Sequence, residues 1–319
     1  HNDIKIIVIG DKKTPIEITS FLQELSNKFA ITIDYYDLEK QEKKLSRFKD
    51  LLSIIPYNSG ARKLLGNFIA YMEGFEIVIQ IDDDNFIDTT KDFIGHHKRV
   101  GSQIDIDVTK SESGWFNIYE YLIEENNIPF FPRGFPWSKR NYSKSNFQEI
   151  NINKKIVLIN GLVFEDPDID AISRLFWPIR VTGSKKNLDD SFGLYPGTWS
   201  SFNNQNTSTN RELTSVYFTP VCVGRNSDIW TSFVMCKLAE VAGDVIAFGS
   251  PYVKQLRNEH NLWDDLKLEL DNNILTDYFT TMLKDINIVK ASYMDMLLQT
   301  IKESKLYVEK DNNLSEKNK

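Results

Sequence analysis

The sequence predicts an α/β fold, a mixed sheet flanked by helices and followed by a C-terminal helical region. Near the start, residues 4–10 and 31–36 are short β-branched runs, separated by Ile18, Phe21, Leu22 and Leu25 at helical spacing. In the middle, Phe75-Glu76-Ile77-Val78-Ile79-Gln80-Ile81 has the length of a buried strand and stops at Asp82-Asp83-Asp84-Asn85. After Arg257-Asn258-Glu259-His260 the pattern turns amphipathic and helical to about Val308. These patterns divide the chain into a sheet domain over residues 1–250 and a helical region over 251–319 packed on it. The charged tail from about residue 309 is expected to fray.

The strand, helix, strand start implies a parallel, right-handed crossover. Gly10 and the polar loop Asp11-Lys12-Lys13-Thr14-Pro15 then lie at a carboxyl edge, the same edge as the aspartates, where a nucleoside could lie across. Lys12 and Lys13 also fit plain solvated lysines. Residues 38–52 read as one charged amphipathic helix. Asn58 or Ser59 can cap the next helix, whose first turn carries Arg62 and Lys63. Cations at a helix start become favourable when an anion such as a diphosphate binds there.

Beyond Asn85, residues 89–97 are expected to be helical, with the adjacent His96 and His97 on the surface. Strands follow near 103–108 and 155–164, with a helix over 115–123 between them. Pro129, Pro132 and Pro136, set among aromatics with Arg133 and Arg140, make residues 128–140 a rigid loop. Aromatic faces beside guanidinium groups suit sugar rings and phosphates, though a structural connection fits too. The acidic cluster Glu165-Asp166-Pro167-Asp168-Ile169-Asp170 is expected to cap a helix that runs through Arg174. Residues 182–210 form a polar stretch without periodicity, read as a lid or a disordered loop, with amides at Asn203, Asn204, Gln205 and Asn206 able to read hydroxyls. Residues 216–225 resume the sheet, 231–242 form a strong helix, and 244–248 a final strand. Asp228, at that helix start, is either an N-cap or a general base.

A chain of 319 residues, 41% hydrophobic, can bury a large core. Its net charge of −7 argues against non-specific binding to nucleic acid or anionic membranes. Cys222 and Cys236 are too few for a disulfide framework or a thiolate zinc site, so a reducing, cytoplasmic setting is expected. No apolar run approaches the roughly 20 residues of a spanning helix, and no signal peptide is visible from His1 onward. No internal repeat is apparent.

Adjacent anions at a strand end repel one another unless a cation joins them. Oxygen-only ligands at a carboxyl edge suit Mg²⁺ or Mn²⁺. A solvated acidic turn is the alternative. Ile87, which stands where an EF-hand loop needs glycine, argues against that loop.

Several of these pieces, in this order, resemble the STELLO-type glycosyltransferase family. They are Val8-Ile9-Gly10-Asp11-Lys12-Lys13-Thr14-Pro15, Pro56-Tyr57-Asn58-Ser59 with Arg62-Lys63, Asp82-Asp83-Asp84-Asn85 and Pro132-Arg133-Gly134-Phe135-Pro136. They continue with Asp166-Pro167-Asp168-Ile169-Asp170-Ala171-Ile172, Asn204-Gln205-Asn206-Thr207, Gly224-Arg225-Asn226-Ser227-Asp228-Ile229-Trp230 and Arg257-Asn258-Glu259-His260. A more distant similarity is to the plant reversibly glycosylated polypeptides, which are nucleotide-arabinose mutases. Their Arg-Gly-Tyr-Pro-Phe-Ser-Leu-Arg motif, whose first arginine becomes glycosylated, is close to Arg133-Gly134-Phe135-Pro136-Trp137-Ser138-Lys139-Arg140. The sequence departs from that family's late Trp-His-Ser, with Gln255 near the histidine position and His260 further on.

The resemblance implies a GT-A-like fold that transfers a sugar from a nucleoside diphosphate donor to a carbohydrate or glycan acceptor, assisted by Mn²⁺ or Mg²⁺. In that picture Gly10, Asp11, Lys13, Thr14, Arg62, Asp82 and Asp83 contact the donor. Asp82 and Asp84 hold the metal, with His260 as a third ligand. Asp228 is the general base and Arg133 a second catalytic residue. Trp137, Arg140, Trp230 and Asn206 shape the sugar and acceptor pocket. A nucleotide-sugar pyranose/furanose mutase and a catalytically silent partner protein are the alternatives, and a homo-oligomer is compatible with each. Plant STELLO proteins are anchored in the Golgi membrane; no anchoring run is visible here, so location does not carry over.

Overall fold

The structure, a computed structural model, describes residues 4–140, 146–185, 187, 189, 191–256 and 261–311. The chain falls into two compact units, His1–Glu76 and Ile77–Lys319. In the first unit, β1 (Lys5–Ile9), α1 (Ile18–Phe29) and β2 (Thr32–Tyr36) form the expected crossover, with β1 and β2 parallel and Ile9 opposite Tyr36. The helix read over 38–52 is broken into α2 (Leu38–Lys44) and α3 (Lys49–Ile54), because the chain turns about the wholly buried Leu45. The Asp37 side chain caps α2 by accepting from the Lys40 N–H. Ser59 does the same for a 3₁₀ turn at Gly60–Lys63, which runs into α4 (Leu64–Met72).

The second unit is built on a mixed sheet. Its first elements are β3 (Ile77–Ile81), β4 (Asn85–Ile87), α5 (Phe93–His97), β5 (Gln103–Ser111), β6 (Leu122–Glu124) and β7 (Phe147–Glu165). They continue with α6 (Ala171–Phe176), β8 (Val181–Ser184), β9 (Phe192–Leu194), β10 (Asn206–Asn210), α7 (Arg211–Thr214), α8 (Ser227–Ala242) and β11 (Val245–Gln255). The C-terminal helical region is α9 (Leu262–Asp285) and α10 (Tyr293–Lys310). The strand order is β3-β10-β7-β5-β9-β11-β4, with β6 and β8 at one end of β7. β7 and β11 also pair directly, in parallel. β10 runs antiparallel to both β3 and β7, so β3, β7 and β11 all point the same way.

The apolar run Ile156-Val157-Leu158-Ile159 is fully buried in β7, as a central strand demands. Ile106, Val108, Val245 and Ala247 pack around it. The division expected near residue 250 falls inside β11, which pairs in the sheet, and α9 packs on α6 and α8. Residues 115–123 are not a helix. Phe116 and Tyr121 are drawn into a ring cluster with Phe147 and Phe192, leaving a 3₁₀ turn at Ile118–Tyr121 that opens into β6. Residues 216–225 form no strand; a 3₁₀ turn at Val221–Asn226 leads into α8.

The polar stretch is the main departure. Asn206-Thr207-Ser208-Thr209-Asn210 is β10, buried along its whole length between β3 and β7. A polar strand survives in a core when its side chains find partners. Thr207 accepts from Asn160 Nδ2 at 2.9 Å, Thr209 and Thr214 bond at 2.8 Å, and Asn210 caps α7. His97, expected on the surface, is buried with its ring nitrogens 3.0 Å from Asn206 Oδ1 and 2.8 Å from Ser208 Oγ. Its neighbour His96 is buried as well.

Candidate active site

The carboxyl ends of β3, β7 and β11 lie at one edge of the sheet, together with the start of β10. Asn206 is opposite Ile81, Gln255 is opposite Glu165, and Gln255 is also opposite Asn85. Whatever follows β3 and β7 or precedes β10 must therefore emerge there. What emerges is Asp82-Asp83-Asp84, Asp166 to Asp170, and the amides of Asn203 to Gln205. This edge is where open α/β sheets bind ligands.

The aspartates form a tight turn between β3 and β4, with the Asn85 N–H donating to the Asp82 carbonyl at 3.2 Å. Backbone bonds fix it from both sides: Asp82 N–H donates to the Gln205 carbonyl at 3.2 Å, and Leu256 N–H to the Asp84 carbonyl at 3.1 Å. Asp82 and Asp84 are half-buried while Asp83 is exposed. Asp84 Oδ2 accepts from Gln255 Nε2 at 3.1 Å, and Oδ1 from Asn85 Nδ2 at 3.3 Å.

The donor set fits a hard divalent cation. It consists of carboxylate oxygens and the Asn85 carboxamide, whose Oδ1 is buried with no hydrogen-bond partner among the described residues. Among those residues no group of three or more His, Cys, Asp or Glu is close enough to hold an ion. A site with two carboxylates suits an ion that completes its shell with water and substrate phosphate oxygens, as Mg²⁺ commonly does. His260, with Arg257, Asn258 and Glu259, lies outside the described residues.

The second cluster is centred on Arg133, which is 8% exposed. Its Nε donates to Asp168 at 2.9 Å, Nη2 to Asp228 at 2.9 Å, and Nη1 to the Arg225 carbonyl at 2.6 Å and Asn226 Oδ1 at 3.2 Å. Burial pulls the guanidinium pKa down, but the adjacent Asp168 and Asp228 carboxylates outweigh it and hold it well above the usual arginine range. The next residue, Gly134, has φ +66°, donates its N–H to Asp170 Oδ1 at 2.8 Å, and would drive a Cβ to 2.6 Å from Ile229 Cγ2. Only glycine meets both conditions.

Arg140 pairs with Asp170, which is wholly buried, and lies 3.7 Å over the Trp137 ring. Trp137 remains 38% exposed. Behind this layer, Arg225 bonds Asp265 at 3.0 Å and Glu269 at 2.8 Å. Burial raises the Glu269 pKa, against the opposing pull of Arg133 and Arg225. The two clusters are joined through the amides: Asn203 Nδ2 donates to Asp168 at 2.9 Å, and Gln205 Nε2 to Gln255 Oε1 at 3.1 Å.

Several candidates thus come together in the second unit: Asp82, Asp83 and Asp84 at one cluster, Arg133, Asp228, Arg140 and Trp137 at the other. Asp228 is not a cap. The N-cap of α8 is Asn226, and the Asp228 carboxylate faces Arg133. The acidic cluster does not cap α6 either. Asp170 makes no capping bond, and the Ala171 N–H is taken by Glu269 at 2.8 Å. Trp230 stands apart, stacked on Phe279 with centroids 4.1 Å apart, and Asn206 is engaged by His97. Glu269 and Gln255 are participants that local pattern did not mark, and Asp168 and Asp170 take a role other than the cap expected of them, since each is identified by a partner distant in sequence.

In the first unit, Gly10, Asp11, Thr14 and Arg62 gather at the carboxyl end of β1. The Asp11 N–H donates to Thr14 Oγ1 at 2.8 Å, and Asp11 Oδ2 accepts from Asn58 N–H at 2.6 Å and lies 3.8 Å from Arg62 Nε. Arg62 is buried, bonds Gln41 and lies over the Tyr57 ring at 4.6 Å, while Lys13 is exposed. No helix among the described residues is long and apolar enough to cross a membrane. No protein-family model matches the chain, and no curated protein matches it.

Proposed function

We propose that the chain is a metal-dependent glycosyltransferase with a GT-A-like fold, moving a sugar from a nucleoside diphosphate donor to an acceptor hydroxyl. The observation that carries this reading is the meeting of Asp82-Asp83-Asp84 and the Arg133–Asp168–Asp228 cluster at one carboxyl edge, linked by Asn203, Gln205 and Gln255. Asp82 and Asp84 would hold Mn²⁺ or Mg²⁺, which when bound would supply Lewis acidity to the departing diphosphate. Asp228 takes the proton of the acceptor hydroxyl. Arg133 fixes the direction of that carboxylate through its rigid fork. The exposed part of Trp137, backed by Arg140, offers a face for a sugar ring.

A mutase reaction through Arg133 is less well supported, because each of its nitrogens already bonds a protein acceptor. The test is incubation of the purified chain with Mn²⁺ and UDP-, GDP- or CDP-sugars, with and without carbohydrate acceptors. Acceptor-dependent release of nucleoside diphosphate is the expected result. Conversion of a donor alone into a ring-contracted isomer identifies a mutase, and failure to bind any nucleotide with metal identifies a silent partner.

A further inference from the structure

We infer that Gln255 is a positioning residue for metal binding, held in its working orientation by Gln205; this rests on the reading of Asp84 as a metal ligand. Gln255 lies at the end of β11, opposite both Asn85 and Glu165, and is 4% exposed; Gln205 is 5% exposed. The Gln205 Nε2 donates to Gln255 Oε1 at 3.1 Å, and Gln255 Nε2 donates to Asp84 Oδ2 at 3.1 Å. The Asp84 carboxylate sets the direction of this relay. A flipped Gln255 amide would turn its oxygen against that carboxylate, so Nε2 faces Asp84 and Oε1 faces the Gln205 donor.

The consequence is chemical. Oδ2 accepts from Gln255 Nε2 and Oδ1 from Asn85 Nδ2 at 3.3 Å, so both oxygens of the Asp84 carboxylate are held by amide donors and its plane is set in advance. The Asn85 Oδ1 is buried without a hydrogen-bond partner among the described residues. A carboxylate held this way would offer its remaining lone pairs to a hard divalent ion. A group behind the ligand that fixes its orientation typically changes metal affinity 10–100-fold when removed.

The experiment measures the Kd for Mn²⁺, alone and with UDP, by the electron paramagnetic resonance of free Mn²⁺, beside a thermal melt of each protein. Gln255→Met removes the donor while keeping length and volume, and should weaken Mn²⁺ about 10–100-fold. Gln205→Met leaves Gln255 in place but frees its amide to turn, and should weaken Mn²⁺ by a smaller factor. Asp84→Ala should abolish binding. Should Gln255→Met fail to fold, Gln205→Met decides. Wild-type Mn²⁺ affinity in the Gln variants, with binding abolished in Asp84→Ala, overturns the positioning role and leaves the metal reading standing. Mn²⁺ binding that survives Asp84→Ala, or is absent from the wild type, overturns both.

Discussion

Replacing Arg133 by lysine keeps the charge and removes the fork. The guanidinium spans two carboxylates that lie on different segments, Asp168 after β7 and Asp228 in the first turn of α8. A single ammonium can sit against one of them but not both. The abandoned carboxylate is then left in a poorly solvated place, since the Asp168 and Asp228 side chains are 7% and 16% exposed. Removing one partner of a buried pair costs about 3–5 kcal/mol. Asp168 keeps a bond from Asn203 Nδ2 at 2.9 Å, which places the expected loss near the lower end. At roughly 2–4 °C per kcal/mol for a unit of this size, Arg133→Lys should melt about 6–12 °C below wild type. Thermal and urea melts followed by circular dichroism measure this directly. The double mutant Arg133→Lys/Asp168→Asn should recover part of the loss, because the unpaired charge is then gone. A melting temperature within about 2 °C of wild type for Arg133→Lys would refute the buried-fork account of this loop.

Asp228→Asn retains an acceptor oxygen but loses the charge facing Arg133; transfer should fall by about 10² to 10⁴ with donor affinity unchanged, and turnover within about threefold of wild type would remove it as the base. Acid should destabilise the fold through the buried histidines. Burial holds the His96 pKa at about 4, with Arg99 adding to the effect, and the His97 pKa at about 3, with His96 adding to it, against 6.5 for a free imidazole. The unfolded chain takes up these protons below about pH 6.5 and the folded chain does not. Stability is therefore full above that pH and declines towards pH 4 and then 3, by roughly 5 kcal/mol for His97 alone. Urea unfolding at pH 7, 5.5 and 4 should show a shallower pH dependence for His97→Gln; an unchanged slope counts against the buried neutral imidazole.

The parts of the fold legible in the sequence were those written in hydropathy. The strand of Lys5–Ile9, the run now in β7 and α10, which buries Tyr293, Met296 and Leu297, each follow an apolar pattern that burial imposes. α9 does not: it buries Asp265, Glu269, Asn272, Asn273, Thr276 and Thr280 and leaves Trp263, Leu268, Leu270 and Ile274 exposed. β10 escaped because Asn-Thr-Ser-Thr-Asn carries no such period; its burial is made tolerable by His97, Asn160 and Thr214, none of them near it in the chain except Thr214. The same holds at the site. The Asp82-Asp83-Asp84 turn was visible because its carboxylates are consecutive and end a strand. Asp168 and Asp170 looked like helix caps because local pattern cannot reveal that Arg133 and Arg140, 35 and 30 positions earlier, reach them. The histidines looked exposed because a polar residue without a visible partner is assigned to solvent. Position alone favoured a helix cap for Asp228; the N-cap is Asn226 instead, and the Asp228 carboxylate pairs with Arg133, 95 positions away.

The most direct test of the proposed chemistry is a thermal-shift titration of wild type and Asp84→Ala with UDP, GDP and CDP, each with and without Mn²⁺. A ligand at 100 times its Kd stabilises the folded state by about 2.7 kcal/mol. For one of the nucleotides, the wild-type melting temperature should therefore rise by roughly 5–11 °C with Mn²⁺ present, remain flat without it, and remain flat in Asp84→Ala under both conditions. A nucleotide shift that is independent of Mn²⁺, or one that persists in Asp84→Ala, would contradict a metal-held diphosphate at this edge.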